Sequence, residues 1–184
     1  SGLNVVIGNE AAEEMTSMSE STVVGYKAAT SNTTGSHILA MGYQAYDGAD
    51  TENHNLAIGS AALGGSVAGG EYNVAIGNYS LDALTSADYN TAVGYFAGSG
   101  VTTGGLNTMI GYYSGRSITE GVDNVTVGRE AGQAITTGDY NTLVGGSAGK
   151  GYDTENHNTG LGYEALRSGS LAGAEYNVAI GNYT

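Results

Sequence analysis

The chain of 184 residues has no cysteine, no proline and no tryptophan, and only one phenylalanine. Without cysteine it can build neither a disulfide framework nor a thiolate nucleophile. With 32 glycines and almost no large apolar rings, a round core of bulky side chains is excluded. The composition suits a thin structure filled in layers by small and β-branched residues. Basic residues are also scarce: five Lys and Arg against 18 Asp and Glu leave a formal charge of −13. Such a field repels phosphate backbones and anionic lipid, so nucleic acid and membrane surfaces are not expected as partners. No apolar run approaches the roughly 18 residues that cross a bilayer, and no charged-then-apolar leader opens the chain. The expectation is therefore a soluble segment without membrane insertion. Only 12% of residues are charged, and polarity of this kind would suit disorder were it not periodic.

What the chain does have is repetition. "YNTAVGYFAG" at 89–98 follows "YNVAIGNYS" at 72–80 and precedes "LNTMIGYYSG" at 106–115. The glycine of each N-x-x-x-G unit, taken as position 0, falls at Gly8, Gly25, Gly42, Gly59, Gly77, Gly94, Gly111, Gly128, Gly145, Gly162 and Gly181. The spacing is 17 residues, relaxed to 18 once and 19 once. Position −1 is always aliphatic or Met, from Ile7 and Val24 to Leu161 and Ile180, and position +3 is always Ala, Ser or Thr. Position −4 is Asn in nine of eleven units, Ser21 and Ile38 being the departures.

A β-rich segment every 17 residues is too short for a βαβ unit or a propeller blade. The pattern predicts an all-β fold, a parallel β-solenoid (β-helix or β-roll) of about eleven coils, forming a single repeat domain over residues 1–184. Each column then becomes a ladder with a rise of roughly 4.8 Å per coil. The expectation is an aliphatic ladder at −1 inside, an Asn ladder (Asn55, Asn73, Asn90, Asn107, Asn124, Asn141, Asn158) bonding amide to amide, and a glycine ladder (Gly59, Gly77, Gly94, Gly111, Gly128, Gly145, Gly162) at a corner needing positive φ. A second strand is expected around Val101, Ile118 and Ile135, with Thr85, Thr102, Thr119 and Thr136 in the next file. "DTENHN" at 50–55 returns at 153–158, a six-coil echo. Uncapped coil ends suggest a slice of a longer fibre or a subunit stacking end to end.

"NTAVGYFAGSGVTTGGLNTMIGYYSG" resembles the repeat arrays of bacteriophage tail-fibre and tailspike proteins, and is similar to the head repeats of trimeric autotransporter adhesins, whose period is shorter. The resemblance covers nearly the whole chain. It implies a trimeric, virion-borne or extracellular adhesive shaft that recognises a cell-surface glycan or receptor. Packing arguments run the same way: a 17-residue coil encloses little apolar area, so three intertwined or adjacent rods would bury a further face, and the small column at −2 (Ala57, Ala75, Ala92, Ala179) would allow close approach.

Chemical groups are sparse. His37, His54 and His157 share position +12, where a threefold axis would gather imidazoles around an ion; filling a turn is the plainer role. Asp50 and Asp153, beside Glu52 and Glu155, offer calcium ligands, with solvated turn acids as the plainer reading. Tyr26, Tyr43, Tyr95, Tyr112 and Tyr163 at +1 are candidates for contact with sugars or a receptor. "GSGVTTGG" lacks the lysine of a phosphate loop, and no base marks an acyl-transfer cleft, so no enzyme and no organic cofactor is expected. The functional expectation is a structural, adhesive fibre segment; a self-assembling extracellular filament and an ice-binding solenoid are the alternatives.

Overall fold

The computed structural model describes residues 2–167 and 173–184. Among these, eleven three-residue strands run from β1 (Val5–Ile7) to β11 (Val178–Ile180) and stack in chain order into one parallel sheet. The result is a β-solenoid of about ten turns. Register is kept residue on residue, even across the 18-residue coil: in β4 (Leu56–Ile58) and β5 (Val74–Ile76), Leu56 pairs with Val74 and Ile58 with Ile76. The 19-residue spacing is likewise absorbed outside the sheet, because Thr159 pairs with Val178.

Strands are short because the chain leaves the extended region at once. Position 0 is left-handed glycine throughout, φ 142° at Gly94 for example. A Cβ there would sit 2.4 Å from the Gly111 carbonyl oxygen of the next coil, so the corner admits no side chain. Positions +2 and +4 then take left-handed backbone whatever their residue, as at Phe96 (φ 53°) and Leu81 (φ 50°). Position −5 does so again, as at Tyr89 (φ 59°). Non-glycine residues adopt this region at a cost, which inter-coil hydrogen bonds offset: the Phe96 N–H donates to Asn78 at 3.1 Å and the Tyr89 N–H to Glu71 at 3.2 Å.

The interior differs in phase from the expectation. Position −2 points inward, with Val23, Ala40, Ala57, Ala75, Ala92, Met109 and Leu143 fully buried. The aliphatic column at −1 points outward: Met41 is 40% and Ile110 39% exposed. Strand alternation fixes this, since the buried Asn at −4 obliges −2 to share its side and sends −3 and −1 to the other. The alanines at −2 therefore line each coil's own core and cannot face a neighbouring rod. Positions +3, +4 and +7 complete the core with residues such as Ala97, Leu81, Val101, Ile118 and Ile135.

Nor is there a second strand per coil among the described residues. Around Val101, Ile118 and Ile135 the backbone bends, and three successive N–H groups, Thr102, Thr103 and Gly104, converge on the single carbonyl of Thr119 at 3.0–3.2 Å. A carbonyl shared by three donors joins coils but cannot continue a ladder of alternating pairs.

Candidate functional site

The outward columns form the feature most open to a partner. Positions −3 and −1 stand on the outer face of the sheet, with −5 before them and +1 just past the glycine corner, and all four repeat at every coil. Columns −3 and −1 hold only Val, Leu, Ile, Met and Thr across all eleven units. Of five basic and 18 acidic residues none falls in these two columns, and only Glu20, Asp123 and Arg129 border them.

Both borders are aromatic. At −5 the rings stack face to face along the rod: His37 on His54 at 4.6 Å, His54 on Tyr72 at 4.8 Å and Tyr72 on Tyr89 at 5.1 Å between centroids. The stack resumes with Tyr140, His157 and Tyr176 at 4.9 and 4.8 Å. The three histidines are thus exposed rungs of an aromatic stack, and their spacing is that of the coils. His37 Nε2 lies 2.8 Å from the Glu20 carboxylate. Among the described residues no three His, Cys, Asp or Glu side chains converge on a point where a metal ion would sit.

At +1, Tyr26 stacks on Tyr43 at 5.5 Å and Tyr95 on Tyr112 at 5.6 Å. Beside them Tyr79, Phe96 and Tyr113 occupy three consecutive +2 positions, and the Arg116 guanidinium lies 4.6 Å from the centroid of Tyr113. The sequence signal for this cluster is the pair of adjacent aromatics in "GYF" and "GYY". Tyr163 stands apart, edge-on to Tyr183 at 5.5 Å.

The Asn column is buried inside the coil. Asn124 Nδ2 donates to Asn107 Oδ1 at 3.1 Å and to the Gly138 carbonyl at 2.8 Å, while its Oδ1 accepts the Asn141 N–H at 3.0 Å. The pattern repeats from Asn73 to Asn158. Where Ile38 interrupts it, Tyr46 enters the core instead: its hydroxyl accepts from Asn55 Nδ2 at 2.9 Å and donates to the Glu52 carbonyl at 3.1 Å. Burial pushes that phenol far above its ordinary range. Asn32, also fully buried, has neither amide atom bonded.

The acidic turns divide. Asp50 and Asp153 are exposed and each accepts a Thr hydroxyl from the preceding coil, Thr33 and Thr136 respectively. Glu52 and Glu155, read as solvated, are buried. They stand at +10, where Gly35, Gly69, Gly104, Gly121 and Gly138 occupy five other coils, and their carboxylates replace water with backbone donors. Glu52 accepts from the Asp50 and Thr51 N–H groups at 3.0 Å and from Gly69 at 2.8 Å, which anchors the extra residue of the long coil. Glu155 repeats the first two bonds at 2.7 and 3.1 Å. Oxygens bonded in this way are poor calcium ligands.

On the bent side, the hydroxyls of Thr85, Thr102 and Thr119 each donate to the next coil's carbonyl at 2.9–3.1 Å. They are tied to the protein and not presented as a free hydroxyl array. Elsewhere burial raises the Asp82 carboxyl, and the Lys150 ammonium bonded to Glu130 lowers that carboxyl. No protein-family model, no curated protein and no solved structure matches this chain.

Proposed function

We propose that this chain is a segment of a structural, adhesive shaft, without catalysis, carried on a virion tail fibre or at a cell surface and built from copies of itself. The observation that supports this reading most is the repetition itself. Each inward column is satisfied by the coils above and below, so what every added repeat supplies is length and another rung of the same outer face. A rod of about 50 Å follows from eleven coils at the inter-strand spacing. The exposed tyrosine edges along both borders suit hydrogen bonding to a glycan or receptor.

Fluorescently labelled chain titrated onto bacterial cells and immobilised surface glycans tests the adhesive part. Saturable binding, weakened at least about tenfold by Tyr95→Ala with Tyr112→Ala, is the expected result for exposed aromatic anchors. Absence of binding to every surface, together with thermal hysteresis in ice-growth assays, would overturn the proposal in favour of an ice-binding solenoid.

A further inference from the structure

We infer that two copies of this chain pair face to face and parallel through the outer side of the sheet, with Asp123 of one copy opposite Arg129 of the other. The inference deepens the reading of the chain as a self-associating shaft and rests on it.

The first ground is the apolar face. Residues at −3 and −1 stand outward on every coil, and exposed members such as Ile76, Ile110 and Leu161 lie in one line. Contiguous apolar surface of this extent marks an interaction site in a soluble protein. Parallel sheets are ordinarily covered on both faces, and a chain with 23 charged residues places none in these columns.

Area is the second ground. Two strand columns about 6.7 Å apart, each flanked by a further column, run over ten rises of about 4.8 Å and present on the order of 1,000 Å². A stable interface of ordinary size needs about 800 Å² from each partner. Because both long coils leave the sheet register intact, the face runs unbroken along the rod.

Symmetry is the third. The threefold bundle expected from the sequence needs a second face on each rod to receive the first. Beyond the glycine corner stand the ion pairs Lys27–Glu10, at 3.2 Å, and Lys150–Glu130, at 2.9 Å, and covering them with aliphatic side chains would take both pairs out of water at a desolvation cost. A two-fold pair needs only the one apolar face, against itself. With the axis along the rods, column −5 of one copy lies over column +1 of the other at the same coil. Asp123 and Arg129 are the −5 and +1 residues of one coil, so a parallel pair brings them together twice. In an antiparallel pair like columns would face each other, and the two residues would not meet. Asp123 makes no ion pair among the described residues, while Arg129 reaches only Glu130, at 3.1 Å.

Sedimentation equilibrium of the whole chain in about 0.15 M salt, where repulsion between net charges is screened beyond about 8 Å, tests this across a concentration series. The expected result is a reversible twofold mass. Ile76→Lys with Ile110→Lys should weaken it at least 100-fold, roughly what two buried charges cost, without loss of circular dichroism, because both residues are exposed in the single rod. Arg129→Glu should weaken pairing about tenfold, and adding Asp123→Lys should restore it. Thr103→Lys, on the bent side, should leave the mass unchanged. A monomer at all concentrations, a threefold mass, or a twofold mass insensitive to the Ile76 and Ile110 changes would each overturn the inference. Cell or glycan binding by a strictly monomeric chain would show that the interface fails while the adhesive reading stands.

Discussion

The Asn124 side chain carries four hydrogen bonds, donating two and accepting two, that no other side chain of its size can make in that place. Truncation leaves a buried carbonyl and a buried N–H without partners, each worth about 1–3 kcal/mol. Asn124→Ala is therefore expected to lower the unfolding free energy by about 3 kcal/mol, read as a lower urea midpoint. Asn32 is the converse case. It sits at +7, where other coils hold Leu84, Val101, Ile118 and Ile135, and its amide bonds nothing. Asn32→Leu keeps the shape and removes the orphaned dipole, so it should raise stability by about 1–2 kcal/mol. A lower midpoint in that variant would contradict the orphaned amide.

At the scale of the coil, the core is filled by compensation between positions −2 and +4. In the coils with Ala40, Ala57 and Ala75 at −2, +4 is large (Tyr46, Leu63, Leu81); the coil with Ala92 has Gly98 at +4, and there Met109 of the next coil fills the space, its Sδ 2.7 Å from where a Cβ on Gly98 would lie. Where −2 is larger (Met109, Thr126, Leu143), +4 is glycine (Gly115, Gly132, Gly149). The reason is contact: a Cβ on Gly115 would lie 2.7 Å from Met109 Cγ, and one on Gly149 would lie 2.5 Å from a Leu143 methyl. Met109→Ala alone should cost about 2–5 kcal/mol through a cavity, and Gly115→Leu alone about 1–3 kcal/mol through overpacking. The double variant recreates the Ala75 and Leu81 arrangement, left-handed leucine included. Its cost should fall below the sum by at least about 1 kcal/mol in a double-mutant cycle; additivity would contradict the compensation.

The period, the parallel stacking and the coil boundaries were legible in the sequence because one glycine per coil, with no side chain allowed, keeps the register visible. Which face was inside was not. Ile, Val and Leu at −1 read as core, whereas the true core column at −2 is mostly alanine and gives no hydrophobic signal. The decisive clue was the buried Asn two residues earlier, whose side of the strand dictates the rest. The bent side was read as a strand because Val101, Ile118 and Ile135 are β-branched, but three donors converging on one carbonyl break the ladder there. Of the site, the aromatic columns could be named from the sequence. The burial of Glu52 and Glu155 could not, since it depends on the backbone of their own turns and, for Glu52, on Gly69 one coil away.

For the whole molecule, one rung copied in phase makes a rod whose coils bond one another through the interior and whose outward strand columns, −3 and −1, carry no charge from end to end. The account stands on that phase. The chain has no cysteine, so a single introduced thiol reports its own position without interference. The measurement that tests the phase most directly compares thiol labelling in three pairs spread along the rod, at a dilution where copies do not associate. The pairs are Val23→Cys with Val24→Cys, Ala75→Cys with Ile76→Cys, and Leu143→Cys with Val144→Cys. The account predicts fast labelling at Val24, Ile76 and Val144 and protection at Val23, Ala75 and Leu143 until the chain is unfolded. Protection at Ile76 with fast labelling at Ala75, or a phase that changes from one pair to the next, would contradict it.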